Sequence, residues 1–131
     1  MVKNYREIIY TAFSNWVDKH LSSVLPNGIV AINFNLYEGS GKTFDVEIIG
    51  SDCFAEDDGG DWACSEIFTT REDLFSAQRT KSLNEWEKGL LFVTSLVEKY
   101  LQEGEYAEKL KGYEAVGIGF VDGDITILHQ K

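Results

Sequence analysis

Little in this chain serves to link or to staple. It has one proline among 131 residues and no low-complexity tract, which excludes long disordered linkers and sets the expectation of one compact domain over residues 1–131. Its two cysteines, Cys53 and Cys64, are not spaced as Cys-x-x-Cys, so they read as reduced thiols rather than a redox pair or half of a zinc site. No apolar run approaches the roughly 18 residues that would span a membrane, and Met1 to Tyr10 lacks the apolar core of a secretory signal. The expectation is a cytoplasmic protein without membrane attachment. Bases are scarce as well: 12 Lys and Arg stand against 22 Asp and Glu, for a net charge of −10. With no basic stripe to neutralise phosphates, direct binding to nucleic acid is disfavoured. Histidine is limited to His20 and His129, and neither has a Ser, Cys or carboxylate partner implied by the sequence.

The charge that is present is unevenly placed. From Glu38 to Asp73, eleven acids (Glu38, Asp45, Glu47, Asp52, Glu56, Asp57, Asp58, Asp61, Glu66, Glu72, Asp73) stand against Lys42 and Arg71, so nine of the ten excess negative charges lie in this stretch. A one-sided acidic field attracts cationic partners and raises association rates by roughly 10- to 10³-fold.

Periodicity supplies the architecture. Asn4 and Glu7 resemble a capping box ahead of apolar residues at helical spacing, which predicts a helix from about Asn4 to Val24, stopped by Pro26-Asn27-Gly28. Val30, Ile32, Phe34 and Leu36 alternate with polar neighbours, as do Phe44, Val46 and Ile48, so two strands pair as a hairpin around Gly39-Ser40-Gly41. A loop over Glu38–Lys42 would set Tyr37 opposite Thr43, Asn35 opposite Asp45 and Asn33 opposite Glu47, on a face expected to meet solvent. Trp62 to Thr70 reads as a third strand with Glu66 outward. Ser82 and Glu85 make a second capping box before a long helix ending at Gly104, and a short helix, Glu105 to Lys111, follows. Val116, Ile118 and Phe120 then lead through Asp122-Gly123, a type I′ hairpin signal, to Ile125, Ile127 and His129. The order α-β-β-β-α-α-β-β predicts an α+β fold: a mainly antiparallel sheet of about five strands with the helices packed on one face.

Motifs that carry chemistry fail on spacing or context. Gly41-Lys42-Thr43 imitates the end of a phosphate loop, but Leu36 occupies the required earlier glycine position and the segment joins two strands. Neither Gly59 nor Gly60 aligns Glu56-Asp57-Asp58-Gly59-Gly60-Asp61 with a calcium-binding EF-hand loop, so no metal or other cofactor is assigned. No catalytic residue is assigned either. The candidate site is a partner-binding surface of Tyr37, Asp45, Glu47, Glu56, Asp57, Asp58, Asp61, Trp62 and Glu66, with Asp61-Trp62 as the preferred anchor because interfaces set aromatic residues inside polar rims.

Two segments, EDDGGDWACSEIF (Glu56 to Phe68) and VGIGFVDGDITIL (Val116 to Leu128), resemble small acidic bacterial proteins of the polymorphic-toxin immunity type. The resemblance implies a cytoplasmic antidote that binds a cognate toxin domain, often a basic nuclease, and blocks it; it carries over no catalytic residue. The leading expectation is therefore a non-catalytic acidic protein, monomeric or weakly dimeric, that docks a basic protein partner. Two alternatives stay open. One is an enzyme using a carboxylate pair such as Asp45 with Glu66, or a divalent metal, on the same surface. The other is an adaptor or homodimer that buries the outer sheet face against itself.

Overall fold

In the computed structural model, which describes residues 4–39, 42–57, 59–80 and 85–131, Asn4 opens the first helix, α1 (Tyr5–Leu21). Its side-chain oxygen accepts the Glu7 N–H at 2.9 Å, satisfying one of the donors that a helix start leaves unpaired. The helix stops before the expected Val24, which is fully exposed and gives no buried contact that would extend it. Strands β1 (Ala31–Glu38) and β2 (Thr43–Ser51) form the expected hairpin. Its register differs from the expected one: Tyr37 faces Asp45, Asn35 faces Glu47 and Asn33 faces Ile49. The pairing moves by two residues, which keeps every side chain on its expected face. Ser40 and Gly41, at the expected turn, lie outside the described residues.

The expected third strand divides. Asp61–Cys64 forms a single 3₁₀ turn, and only Glu66–Thr69 is strand (β3). A further short strand, β4 (Phe75–Gln78), is absent from the sequence reading. Both lie along the outer edge of β2, β3 against Ile49–Ser51 and β4 against Thr43–Val46. Between them the chain leaves the edge at Thr70, whose buried hydroxyl accepts the Ile48 N–H at 2.9 Å in place of a strand partner. Helices α2 (Trp86–Glu103) and α3 (Ala107–Lys111) follow, then β5 (Ala115–Phe120) and β6 (Thr126–Gln130). Ser82 of the expected capping box lies outside the described residues, and Glu85 occupies the N-cap of α2 without a side-chain cap bond.

Among the described residues the sheet has six strands in the order β3-β2-β1-β5-β6, with β4 also on β2, and is antiparallel except for the parallel β1–β5 pair. The α+β architecture with all helices on one face is as expected. Ile32, Phe34, Val46, Ile48, Val116 and Ile118 pack there against Phe13, Val17 and Leu21 of α1 and Val93, Val97 and Tyr100 of α2. Buried Tyr100 donates to Asp18 Oδ1 at 2.6 Å and accepts the Tyr106 N–H at 3.0 Å, tying α1, α2 and the turn into α3 together. No helix among the described residues is long and apolar enough to cross a membrane.

The Asp122-Gly123 turn differs from its signal. A type I′ turn needs positive φ at both central residues, and neither residue has it. Pairing between β5 and β6 stops at Ile118 and Thr126, leaving a wider connection, and a bulge between Val116 and Gly117 shifts the register.

Candidate functional site

Alternation alone predicts a solvated second sheet face; the structure covers half of it. Residues 52–57 and 59–65 fold back over the starts of β1 and β5, closed at their base by Asp52 N–H to the Ser65 carbonyl at 3.2 Å and Ser65 Oγ to Asp52 Oδ1 at 2.6 Å. Gly59 and Gly60 take left-handed φ values of 72° and 88° to turn the chain into the 3₁₀ segment. That turn drives Trp62 inward. Trp62 is 3% exposed, packs with Ala31, Ala115, Ile127 and the edge of Phe54, and its carbonyl accepts the buried Ser51 hydroxyl at 2.5 Å. The expected interface anchor is thus the plug of a second small core. Large aromatic side chains near strands bury in their own fold when an apolar slot is open to them.

Glu47 is corrected in the same way. It is 0% exposed rather than solvated, and it collects four donors. Oε1 accepts Tyr37 OH at 2.6 Å and Asn35 Nδ2 at 3.2 Å, while Oε2 accepts the Thr69 hydroxyl and Arg71 Nε, the latter at 3.0 Å. Burial by itself raises the pKa of this carboxyl, but the bonds from Thr69, Tyr37 and Asn35 and the Arg71 charge together outweigh it, so the net shift is downward. The same arrangement pushes the Tyr37 hydroxyl up to about 12, first through desolvation and then through its bond to Glu47. Glu47 stays ionised and saturated, and Tyr37 stays protonated. Neither has the near-neutral pKa that proton transfer at neutral pH favours.

The uncovered half of this face is an open cleft of about 430 Å³. Asn33, Asn35 and Tyr37 of β1 line it from one side, Gly59–Asp61, Ala63 and Cys64 from the folded-back loop, Glu66 and Arg71 from the β2 flank, and Phe120 at the end of β5 with Val121–Gly123 and Ile125 of the β5–β6 connection from the other. Hydrogen-bond polarity runs through its floor in one direction. Because Asn35 donates to Glu47, its carbonyl oxygen must accept, and it does so from Asn33 Nδ2 at 2.6 Å. Asn33, 1% exposed, is left with Oδ1 as a buried acceptor that has no partner among the described residues. This oxygen lies 2.7 Å from where a Cβ on Gly117 would stand, so the glycine on the neighbouring strand provides its space.

Charge at the cleft is unbalanced. Arg71 is already committed, through Nε to Glu47 and through Nη2 to Glu66 at 2.7 Å. Asp61 and Asp122 line the cleft exposed and, among the described residues, without a cation beside them. Of the expected surface, Tyr37, Asp61 and Glu66 come together here. Exposed Asp57 sits in the turn leading to Gly59 and Gly60, and Asp58 lies outside the described residues. Asp45 does not join them: half-buried, it accepts from Thr43 Oγ1 at 2.9 Å and Ser76 Oγ at 2.7 Å. Glu56 is drawn instead to Gln130 at the end of β6. Asp73, at the break between β3 and β4, reaches the helical layer, where it accepts Lys19 Nζ at 2.9 Å and faces His20 Nε2 at 2.8 Å. His20 thus has the carboxylate partner that the sequence does not imply.

Sequence reading missed Asn33, Asn35, Arg71 and Asp122 as site residues. Asp122 carries a readable signal, since Asp122 and Asp124 flank the glycine of an exposed turn. No local pattern signals Arg71. It reaches Glu47 only because the chain breaks between β3 and β4. No protein-family model, curated protein or solved structure matches the chain.

Proposed function

We propose that this chain is a non-catalytic binding protein that docks a basic protein partner at the acidic cleft, as an immunity protein does when it neutralises a toxin domain. The observation that carries this reading is the convergence of Asp61 and Asp122, distant in sequence, on one concave surface whose lining cation is already paired. Glu66 contributes its second oxygen, Asp57 extends the field outward and Tyr37 contributes a half-buried aromatic wall. Glu47 and Trp62 act from beneath, as framework. Glu47, with four donors on its two oxygens, has no lone pair to offer a substrate, and Tyr37 holds its proton far above neutral pH, so both favour recognition over acid–base work.

The test is co-expression with the product of the adjacent reading frame, read as growth rescue and as binding rate. Growth rescue should be lost with Asp61→Lys combined with Asp122→Lys. The association rate should fall at least about tenfold between low and high salt, as steered association does. Rescue that survives the double reversal, or an association rate indifferent to salt, removes the reading.

A further inference from the structure

We propose that the cleft is a pocket for one arginine side chain of the partner, received by the buried amide of Asn33 as well as by the rim carboxylates. This rests on the docking reading above and narrows it to one side-chain chemistry. A carboxylate rim by itself attracts any cation. The unpartnered oxygen of Asn33 asks for more, because a buried acceptor without a donor carries an unrecovered desolvation cost until one arrives. A guanidinium suits the combination. It carries five N–H donors in one plane and no acceptor, so it can offer one edge to a neutral amide oxygen and the other to Asp61 or Asp122. Its three methylenes can lie along Val121, half exposed at the side of the cleft. An ammonium is a more strongly hydrated point charge, and burying it against a neutral amide is less favourable.

Ile125 gates the acceptor. Its Cγ2 lies 2.8 Å, and Asn33 Oδ1 2.7 Å, from the same point above Gly117, so the two share one space and a change in the Ile125 side chain opens the oxygen to the cleft. Ile125 is half-buried at the end of the wide β5–β6 connection, outside both strands.

The experiment is a ¹H–¹⁵N NMR titration of the intact chain with Nα-acetyl-arginine methylamide, its lysine and citrulline counterparts, and free L-arginine. The arginine amide should shift the Asn33 and Asn35 side-chain NH₂ signals saturably, with at least about tenfold tighter apparent binding than lysine or the uncharged isostere citrulline (about 1.4 kcal/mol). Free arginine binding as tightly as the amide would assign the pocket to the small molecule and overturn the assignment to a partner's side chain. Ile125→Ala should tighten arginine binding several-fold, and Asp122→Asn, on an exposed turn where folding is not at stake, should weaken it. Equal responses to arginine and lysine, or shifts confined to the rim with Asn33 unmoved, would overturn the arginine pocket while leaving charge-driven docking intact. Loss of salt dependence with the whole partner would instead remove the docking reading.

Discussion

Glu47 shows what a single buried carboxylate does for this protein. Its folded pKa lies below the unfolded value of about 4.3, so its contribution to stability is complete above that pH and drains away as pH falls through the folded pKa. Urea unfolding should show stability dropping below about pH 4.5, and Glu47→Gln should flatten that acid limb. Asp73, lowered through its bonds to Lys19 and His20, acts in the same direction but is exposed enough for solvent to screen it. At neutral pH, Glu47→Leu should cost about 3 kcal/mol, because Tyr37, Asn35 and Thr69 lose their acceptor while Arg71 retains solvent and Glu66. Tyr37→Phe removes one donor of four and should cost about 1 kcal/mol. In the sequence Glu47 reads as an outward carboxylate, since strand alternation reports which face a residue occupies but not what later folds over that face.

At the scale of elements, the loop that Asp52 and Ser65 close depends on one side chain. Trp62→Ala should cost about 3–5 kcal/mol in chemical denaturation. It should also expose the loop to limited proteolysis before the rest of the domain, since the loop's apolar contacts with the sheet centre on this ring. Uniform proteolysis across the chain would contradict that. Gly89 in α2 makes a second case. Propensity favours alanine in a helix by roughly 1 kcal/mol, yet a Cβ here would stand 2.5 Å from the ring of Phe44. That ring is buried between Gly89, Phe120 and the Arg79 guanidinium, 4.2 Å from its centroid, and has no room to retreat. Gly89→Ala should therefore lower the melting temperature, by an overpacking cost of about 1–3 kcal/mol.

These elements mark where the sequence is legible. The α1 cap and the alternation of Phe34, Val46 and Ile48 are local and periodic, and they appear as read; the β1–β2 hairpin forms too, with its pairing two residues from the expected register. The split of β3 from β4, the parallel pairing of β1 with β5 and the cleft between loop and hairpin depend on contacts between segments far apart in sequence. Asp61 and Glu66 are legible as site residues because charge density points to them. Asn33 is not, because an amide on a polar strand face has no pattern of its own until Gly117 arrives beside it.

For the whole molecule, a net charge of −10 works against compactness as it works for attraction. Raising ionic strength from about 20 to 200 mM shortens the Debye length and screens the internal repulsion. Thermal unfolding should then move up by a few degrees, the reverse of its effect on association with a cationic partner. A melting temperature that falls with salt would mean that the ion pairs of Arg71, Asp73 and Arg79 outweigh the excess negative charge. The break between β3 and β4 bears on a different hazard. A sheet flank with a long row of free N–H and C=O groups is a growth front, on which further copies can add strand by strand. Here that flank is two four-residue pieces separated by a detour that turns toward the helices at Asp73 and toward the cleft at Arg71. No incoming strand finds a continuous ledge there, and this side of the protein resists templating fibrils even when it is crowded.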